Sequence, residues 1–433
     1  MSFDAPDVPF DPVRCAGLHN QLLARAIEAA ASSTQQQGAS RRVMRDLIER
    51  MTEAAPIWPH ATQVPEGSPV HHFLSLIESH PTALPDEFPL TPEMLQPDPY
   101  LFDNEYIIEN EDGLNVILLY PDATITPCHG DCGVYFDLDT NRACWHRTEL
   151  RFPSQDLWVP LEVILREQLL KWDQGKYFWG RSDGREWEAL SKKSWVASDL
   201  ELAIAGWDSL LEAIQNRLPH TEDSSLREEP PLPSEIVHDL RVSSFACAFL
   251  TKAKRPSFTF VAPGITSFTP QSIVELYAAE PPTSPRLAGL DVDAGDECAS
   301  LILPAVGRPV PEPAPGNRQF DKDWGSAKKT VLRRAGLYVN YRSIGTDGDD
   351  VWLLTPEGVD DAFKHYGTRP WGPYRMFSLA EMLWAWSGLV EDGIWEVGPD
   401  GVTTPPSWFT DPETKSFRTM RWISALPPDD EEE

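Results

Sequence analysis

Cysteine, positive charge and long apolar runs are all scarce in this 433-residue sequence. Six cysteines are too thinly spread for a disulfide scaffold, so the thiols are expected to be reduced, in cytosol or nucleus. Lys and Arg number 37 against 67 Asp and Glu, a net charge of −30. Such a surface repels phosphate backbones and anionic lipids, which argues against nucleic-acid or membrane-surface binding. No run of 18 apolar residues offers a transmembrane helix. The start, MSFDAPDVPFDPVR, has acids and prolines where a signal peptide needs basic and apolar stretches, and the end, PPDDEEE, reads as a solvated acidic tail. Phosphate-cradling Gly loops, a Gly-x-Ser-x-Gly elbow, a dinucleotide fingerprint, His-Glu-x-x-His and the kinase set are missing too. This lowers the odds of an enzyme and implies no cofactor.

What the chain has is proline (41, against 26 glycines), tryptophan (16) and 41% hydrophobic residues. That is enough apolar material for more than one core. The reading is an α+β protein in several segments. Residues 1–80 form a helical N-terminal region, with helices expected over Leu18–Ala31, Arg41–Ala54 and Val70–Ser79. Residues 81–220 form a central sheet-plus-helix module. In it LNVILLY (114–120) reads as a buried strand and Gly130–Phe152 as a hairpin turning at Asp139, Thr140 and Asn141. An amphipathic helix carries Leu161, Ile164, Leu165, Leu169 and Leu170, and a second runs over Ser198–Arg217 with Ser198 as N-cap and Glu201 completing a capping box. Residues 221–318 read as Pro-rich linkers around a short β-leaning segment in which FACAFL and SFTFVA flank KAKRP. Residues 319–425 form a Trp-rich α/β module with a helix over Ser378–Val390, and 426–433 an acidic tail.

The two helix ends echo each other. Leu161, Leu165, Gly175 and Tyr177 match Leu379, Leu383, Gly393 and Trp395 at one offset, 218 residues. An Asp-Gly turn follows each, at Asp183-Gly184 and Asp400-Gly401. A diverged repeat is one explanation, and the ordinary chemistry of a glycine behind a helix is the other.

The sharpest candidate site is Cys128, Cys132, Cys144 and His146. Two thiolates, a third and an imidazole are zinc-type ligands, but Cys144 and His146 stand only two apart, on one face of a strand, where packed cysteine is also ordinary. Cys128, His129 and Asp131 offer a nucleophile set, although neighbours on an extended chain point apart. His71 and His72, with His80 beyond, lack ligand spacing. The acidic runs 291–297 and 345–350 lack the calcium-loop pattern, and the small basic patches at Arg41-Arg42, Lys192-Lys193, Lys252–Arg255 and Lys328–Arg334 balance local acids. Trp371, Trp384, Trp386, Trp395 and Trp408 crowd the last segment. Trp371, Trp384, Trp386 and Trp395 are the candidate interaction residues; Trp384 and Trp386, two apart on one helix, face different ways, so one of these two suits the core and the other a groove or interface.

Gly130-Asp131 leads into a strand ending Asp137-Leu138-Asp139, and a return strand runs Arg142–His146. Asp156 and Trp158 then approach a helix that closes on Trp172-Asp173-Gln174-Gly175-Lys176-Tyr177. With Leu84-Pro85-Asp86-Glu87-Phe88 upstream, this stretch resembles the SUKH superfamily, in particular its fungal cell-wall-synthesis-regulator branch. The helix and Gly-rich turn expected after the Leu-Pro segment are not apparent. The resemblance implies a mixed α/β module that binds proteins without catalysis, a scaffold in fungal-type signalling or cell-wall control. Three functional readings follow: a protein-interaction or regulatory protein with a protein partner, an accessory enzyme with a pocket near Cys128–His146, or a zinc-stabilised structural module.

Overall fold

The computed structural model describes residues 9–31, 42–43, 64–79, 89–97, 115–123, 132–146, 158–180, 189–219, 229–240, 242–279, 300–306, 335–339, 347–355, 358–359, 377–409, 411 and 414. The fold is α+β, in two compact units: residues 1–193 with 370–374, and 194–369 with 375–433. No described helix is long and apolar enough to cross a membrane.

In the first unit, α1 (Pro12–Ala31) begins where Asp11 Oδ1 accepts the N–H groups of Val13 and Arg14, both at 3.0 Å. Pro12 suits the first helical position, where no N–H is needed. Cys15, His19, Leu22, Leu23, Ala26 and Ala30 form its buried stripe. The strand β1 (Arg42–Val43) pairs antiparallel with β2 (Glu78–Ser79). The helix expected from Arg41 is therefore extended at its first turn, where pairing with β2 satisfies the backbone; residues 44–54 lie outside the described residues. Ser68 caps α2 (Pro69–Leu76). A hairpin, β3 (Pro89–Thr91) with β4 (Met94–Leu95), precedes the central sheet β5 (Val116–Pro121), β6 (Gly133–Asp137) and β7 (Arg142–His146), an antiparallel meander.

The β6–β7 turn lies where the sequence placed it. Asp137 accepts from the Asp139 N–H and the Thr140 hydroxyl, and Asn141 takes a left-handed φ of 54°, which asparagine tolerates. Helix α3 (Leu161–Asp173) then packs on the sheet and on α1, and β8 (Tyr177–Gly180) pairs with β9 (Ala189–Lys192). One core joins α1, the sheet and α3, so the N-terminal helix belongs with the central module.

The second unit opens with α4 (Ala197–Gln215). Its start differs from the expected Ser198 box: Val196 is the N-cap, and the Asp199 carboxylate accepts the Val196 N–H at 2.9 Å. Next come α5 (Ser234–His238) and α6 (Ser244–Leu250). FACAFL is thus helical and not β-leaning. Ser243 caps the Ala246 N–H, and Phe245, Ala246, Phe249 and Leu250 bury one helical stripe. The hairpin β10 (Phe260–Ala262) and β11 (Ile265–Thr266) leads to α7 (Pro270–Ala279).

A second meander follows: β12 (Ser300–Pro304), β13 (Gly336–Val339), β14 (Val351–Thr355) and β15 (Gly358–Val359). Then come α8 (Leu379–Glu391), the hairpin β16 (Val397–Gly398) with β17 (Gly401–Val402), and a 3-10 turn at Pro406–Phe409. β17 also runs parallel to β10. Leu232, Val237, Phe249, Val261 and Ile273 lie in this unit's core, so the described part of the expected 221–318 linker is built into the fold.

The two units use the same local devices in the same chain order. In β3–β4 the pairs are Pro89 with Leu95 and Thr91 with Met94; in β10–β11 they are Phe260 with Thr266 and Ala262 with Ile265, with the same irregularity between them. Met94 bridges to Asp122, and Ile265 to Ala305. The pairing β5–β6 shifts between Leu118 and Tyr120 and ends at Pro121 opposite Gly133. That of β12–β13 shifts between Leu301 and Leu303 and ends at Pro304 opposite Gly336. The two glycines have φ of 146° and 149°.

The Ala143 N–H donates to the Val159 carbonyl at 2.7 Å just before α3, as Val351 does to Phe377 at 2.8 Å just before α8. Both helices have 13 residues and end on a glycine with φ near 70°. At each, the glycine N–H and the next N–H donate back to Trp172 and Lys171, or to Val390 and Leu389, the Schellman pattern.

Candidate functional site

The Cys/His cluster sits on the central sheet of the first unit. β7 presents Cys144 opposite Tyr135 and His146 opposite Gly133, and Cys132 immediately precedes β6. All three are buried. Cys144 is part of the core, and burial, with a smaller contribution from Asp137, pushes its thiol well above the usual range. The His146 ring stands edge-on to Tyr135, with centroids 5.9 Å apart. Among the described residues no three of His, Cys, Asp and Glu gather where a metal ion could be held. Cys128, His129 and Asp131 lie outside the described residues, as do His80, Trp371 and the 291–297 run. His72 is exposed on α2 and His71 half-buried. Of the second acidic run, Asp347 donates its N–H to Asp350 Oδ2 at 2.6 Å and the Asp349 carbonyl accepts from Leu379. This turn seats the start of α8.

Trp384 and Trp386 face different ways, as their spacing requires, but Trp386 and Trp395 are core residues and not an interaction surface. Trp386 and Trp395 are fully buried with centroids 5.7 Å apart, and Trp408 meets Trp395 edge-on at 5.3 Å. Trp384 is 37% exposed. Three of the four are therefore core, packed by their ring edges and faces, and Trp384 alone of them reaches the surface.

Two buried polar constellations were not singled out in the sequence. In the first, His19 Nε2 lies 3.0 Å from the Glu78 carbonyl oxygen and Nδ1 lies 3.1 Å from the Tyr120 hydroxyl. A carbonyl only accepts, so Nε2 carries the proton and the tyrosine donates to Nδ1. Burial lowers the His19 pKa from 6.5 to about 4 and keeps the ring neutral. The unfolded chain binds this proton below pH 6.5 and the folded one does not. His19 therefore stabilises fully above pH 6.5, and its contribution falls as pH drops towards 4, by up to about 3 kcal/mol. Urea midpoints between pH 5 and 6.5 should accordingly rise with pH in the parent and lose about one proton's worth of slope in His19→Gln.

In the second constellation, Glu93, with a side chain 4% exposed, takes Lys192 Nζ at 2.8 Å and Lys171 Nζ at 3.4 Å, one on each carboxylate oxygen. Lys171 also reaches Glu167 at 3.4 Å. Nearby, the Tyr177 hydroxyl donates to Gln168 at 2.7 Å. Part of this was readable: Gln168 and Lys171 fall on the same helical stripe as Ile164, polar groups where the spacing calls for core. Glu93, in a Pro-Glu turn, gave no such signal. In the second unit the matching positions are Gly264, Leu389 and Thr404, and Gln168 and Tyr177 become Trp386 and Trp395. These residues are uncharged, and Thr404 accepts the Glu396 N–H at 2.9 Å. No family model, no curated protein and no solved structure matches this chain.

Proposed function

We propose that this chain is a non-enzymatic protein-interaction or regulatory protein, built from two diverged copies of one α+β fold and acting in the cytosol or nucleus. The observation that carries the repeat is the shared register: hairpin, shifted strand pair, Pro–Gly partner, bridge, 13-residue helix and Schellman glycine recur in one order. Four matched residues on a helix are weak support by themselves. The same register shifts, glycine conformations and bridges recurring in both units are much stronger. The first copy contains the stretch that resembles the SUKH superfamily, and that resemblance implies protein binding, in a scaffold for fungal-type signalling or cell-wall control. Cys144 packs in the apolar core of the first unit's sheet, which is in keeping with this reading.

Tagged full-length protein, cross-linked in a lysate at low and at moderate salt, should recover a defined partner in fixed proportion to the bait. Recovery of nothing above an untagged control at either salt would end the proposal.

A further inference from the structure

We propose that the exposed seam between α4 and α8 of the second unit docks a short basic segment carrying an apolar anchor residue. The inference rests on the interaction reading above and gives it a surface and a partner chemistry.

The two helix pairs are built alike. In the first unit α1 and α3 run side by side, with Arg14 at Glu162 (2.9 Å) and Arg25 at Asp173 (2.7 Å). In the second, Gly206 of α4 lies against Ala380, Leu383 and Trp384 of α8, Ser209 Oγ is 2.9 Å from Ser387 Oγ, and Arg217 donates to the Glu391 carbonyl at 3.2 Å. Low residues face low residues and high face high, so both pairs are parallel. The buried stripes align Cys15, His19, Leu22, Leu23 and Ala26 with Ala203, Trp207, Leu210, Leu211 and Ile214. That puts Leu202 where Arg14 stands. The helix-end match puts Ala380 at Glu162 and Trp384 at Arg166.

On the exposed face of the helix pair the two copies differ in kind. The first carries an ion-paired triad, Glu162 taking Arg14 at 2.9 Å and Arg166 at 2.8 Å. That is an ordinary solvated surface. The second carries Leu202 (46% exposed), Ala380 and Trp384 (37% exposed). Trp384 rests on Gly206, where an added Cβ would come within 3.3 Å of its ring, and Leu202 is one turn along the same face of α4. A supported tryptophan beside a leucine, both open to solvent, is the composition of a binding hot spot.

Charge selects the occupant. α4 and α8 carry Asp199, Glu201, Asp208, Glu212, Glu381 and Glu391, and neither helix contains a Lys, Arg or His. Glu381 and Glu391 flank Trp384 along the exposed stripe of α8. Two copies of this face would set acid against acid in a chain of net charge −30, so a second copy of the protein is disfavoured and a basic partner attracted. Two large side chains make a small patch, which fits a short segment better than a folded domain.

The test uses the full chain and a fluorescently labelled 14-residue Leu/Lys peptide with helical apolar spacing. A scrambled peptide of equal composition measures charge attraction alone. Anisotropy should show the patterned peptide binding more tightly than the scrambled one. Trp384→Arg, which installs the first copy's residue, should weaken the patterned peptide about tenfold or more and leave the scrambled one within about twofold. Leu202→Arg gives the same reading should Trp384→Arg melt early. Equal affinity of the parent and both variants for the patterned peptide overturns the proposal. So does a parent dimer in sedimentation that Trp384→Arg dissolves, since the occupant is then a second copy. Lysate capture separates the two readings: a partner held equally by parent and Trp384→Arg removes this surface and leaves the interaction role standing, whereas no partner for either removes both.

Discussion

Gly133→Ala and Gly336→Ala should each lower the stability of the protein by about 3 kcal/mol or more. Both glycines sit opposite a proline at the end of a shifted strand pair, with φ of 146° and 149°, a region that residues with a Cβ rarely enter. An added Cβ at Gly133 would collide with the Tyr120 carbonyl oxygen and meet Pro121 Cα at 3.0 Å. At Gly336 it would meet the Leu303 carbonyl oxygen at 2.5 Å and Pro304 Cα at 3.1 Å. These obstacles are mostly backbone in the middle of a ladder, so they cannot swing aside as a side chain would. The strand pair must open or shift. Gly17, inside α1 with nothing within 4 Å of its missing Cβ, is the control: Gly17→Ala should be neutral or stabilising by up to about 1 kcal/mol. Urea unfolding of the three variants decides the matter. A Gly133→Ala protein as stable as the parent would mean that the strand pairing described for it is wrong.

Glu93→Ala is expected to cost about 3 kcal/mol, because it removes the buried carboxylate shared by buried Lys171 and half-buried Lys192, with Lys171 keeping only Glu167 at 3.4 Å. The larger claim concerns the combined variant Glu93→Ala/Lys171→Leu/Lys192→Thr, which should recover more than half of that loss. Its logic is that burying charges is costly and their attraction only offsets the cost, so a neutral replacement of Glu93 and its two lysines, with Glu167 left near the surface, does about as well as the charged set. The second unit supplies the precedent, with Gly264, Leu389 and Thr404 at the matching places. Thermal melts of the single and combined variants suffice. A combined variant less stable than Glu93→Ala would show that the ion cluster contributes more than neutral packing can.

How far the sequence spoke depended on whether its signals were local. Asn141 in its turn, the start of α8 behind Ser378, and the glycines behind α3 and α8 are all local chemistry and each was legible, whereas the capping box read at Ser198 and Glu201 lies instead at Ser378 and Glu381 on α8. FACAFL was misread because its residue types suit strands, while Ser243 and the helical spacing of Phe245 and Phe249 pointed the other way. Arg42–Val43 became a strand only through a partner 36 residues on, at Glu78–Ser79, which no local pattern reveals. The candidate surface was half legible. The opposed faces of Trp384 and Trp386 followed from helical spacing, but the role of Leu202 emerged only when Arg14, Glu162 and Arg166 could be set beside it. Glu93 was hidden for the same reason, since its lysines arrive from 78 and 99 residues away.

The parallel pairing of Phe260 with Gly401 has a consequence for how the chain is made. A ribosome releases the β10–β11 hairpin long before it has translated β17, and about 140 residues must be synthesised before that edge finds its neighbour. Until then the newborn second unit carries an open strand beside the apolar surfaces that Trp395, Trp408 and Phe409 will cover. The strands described for the first unit are all translated by residue 192, and only residues 370–374 of that unit come later. Synthesis therefore lets the described sheets of the first unit pair early, while the second depends on shelter, or on speed, until its last described strand arrives.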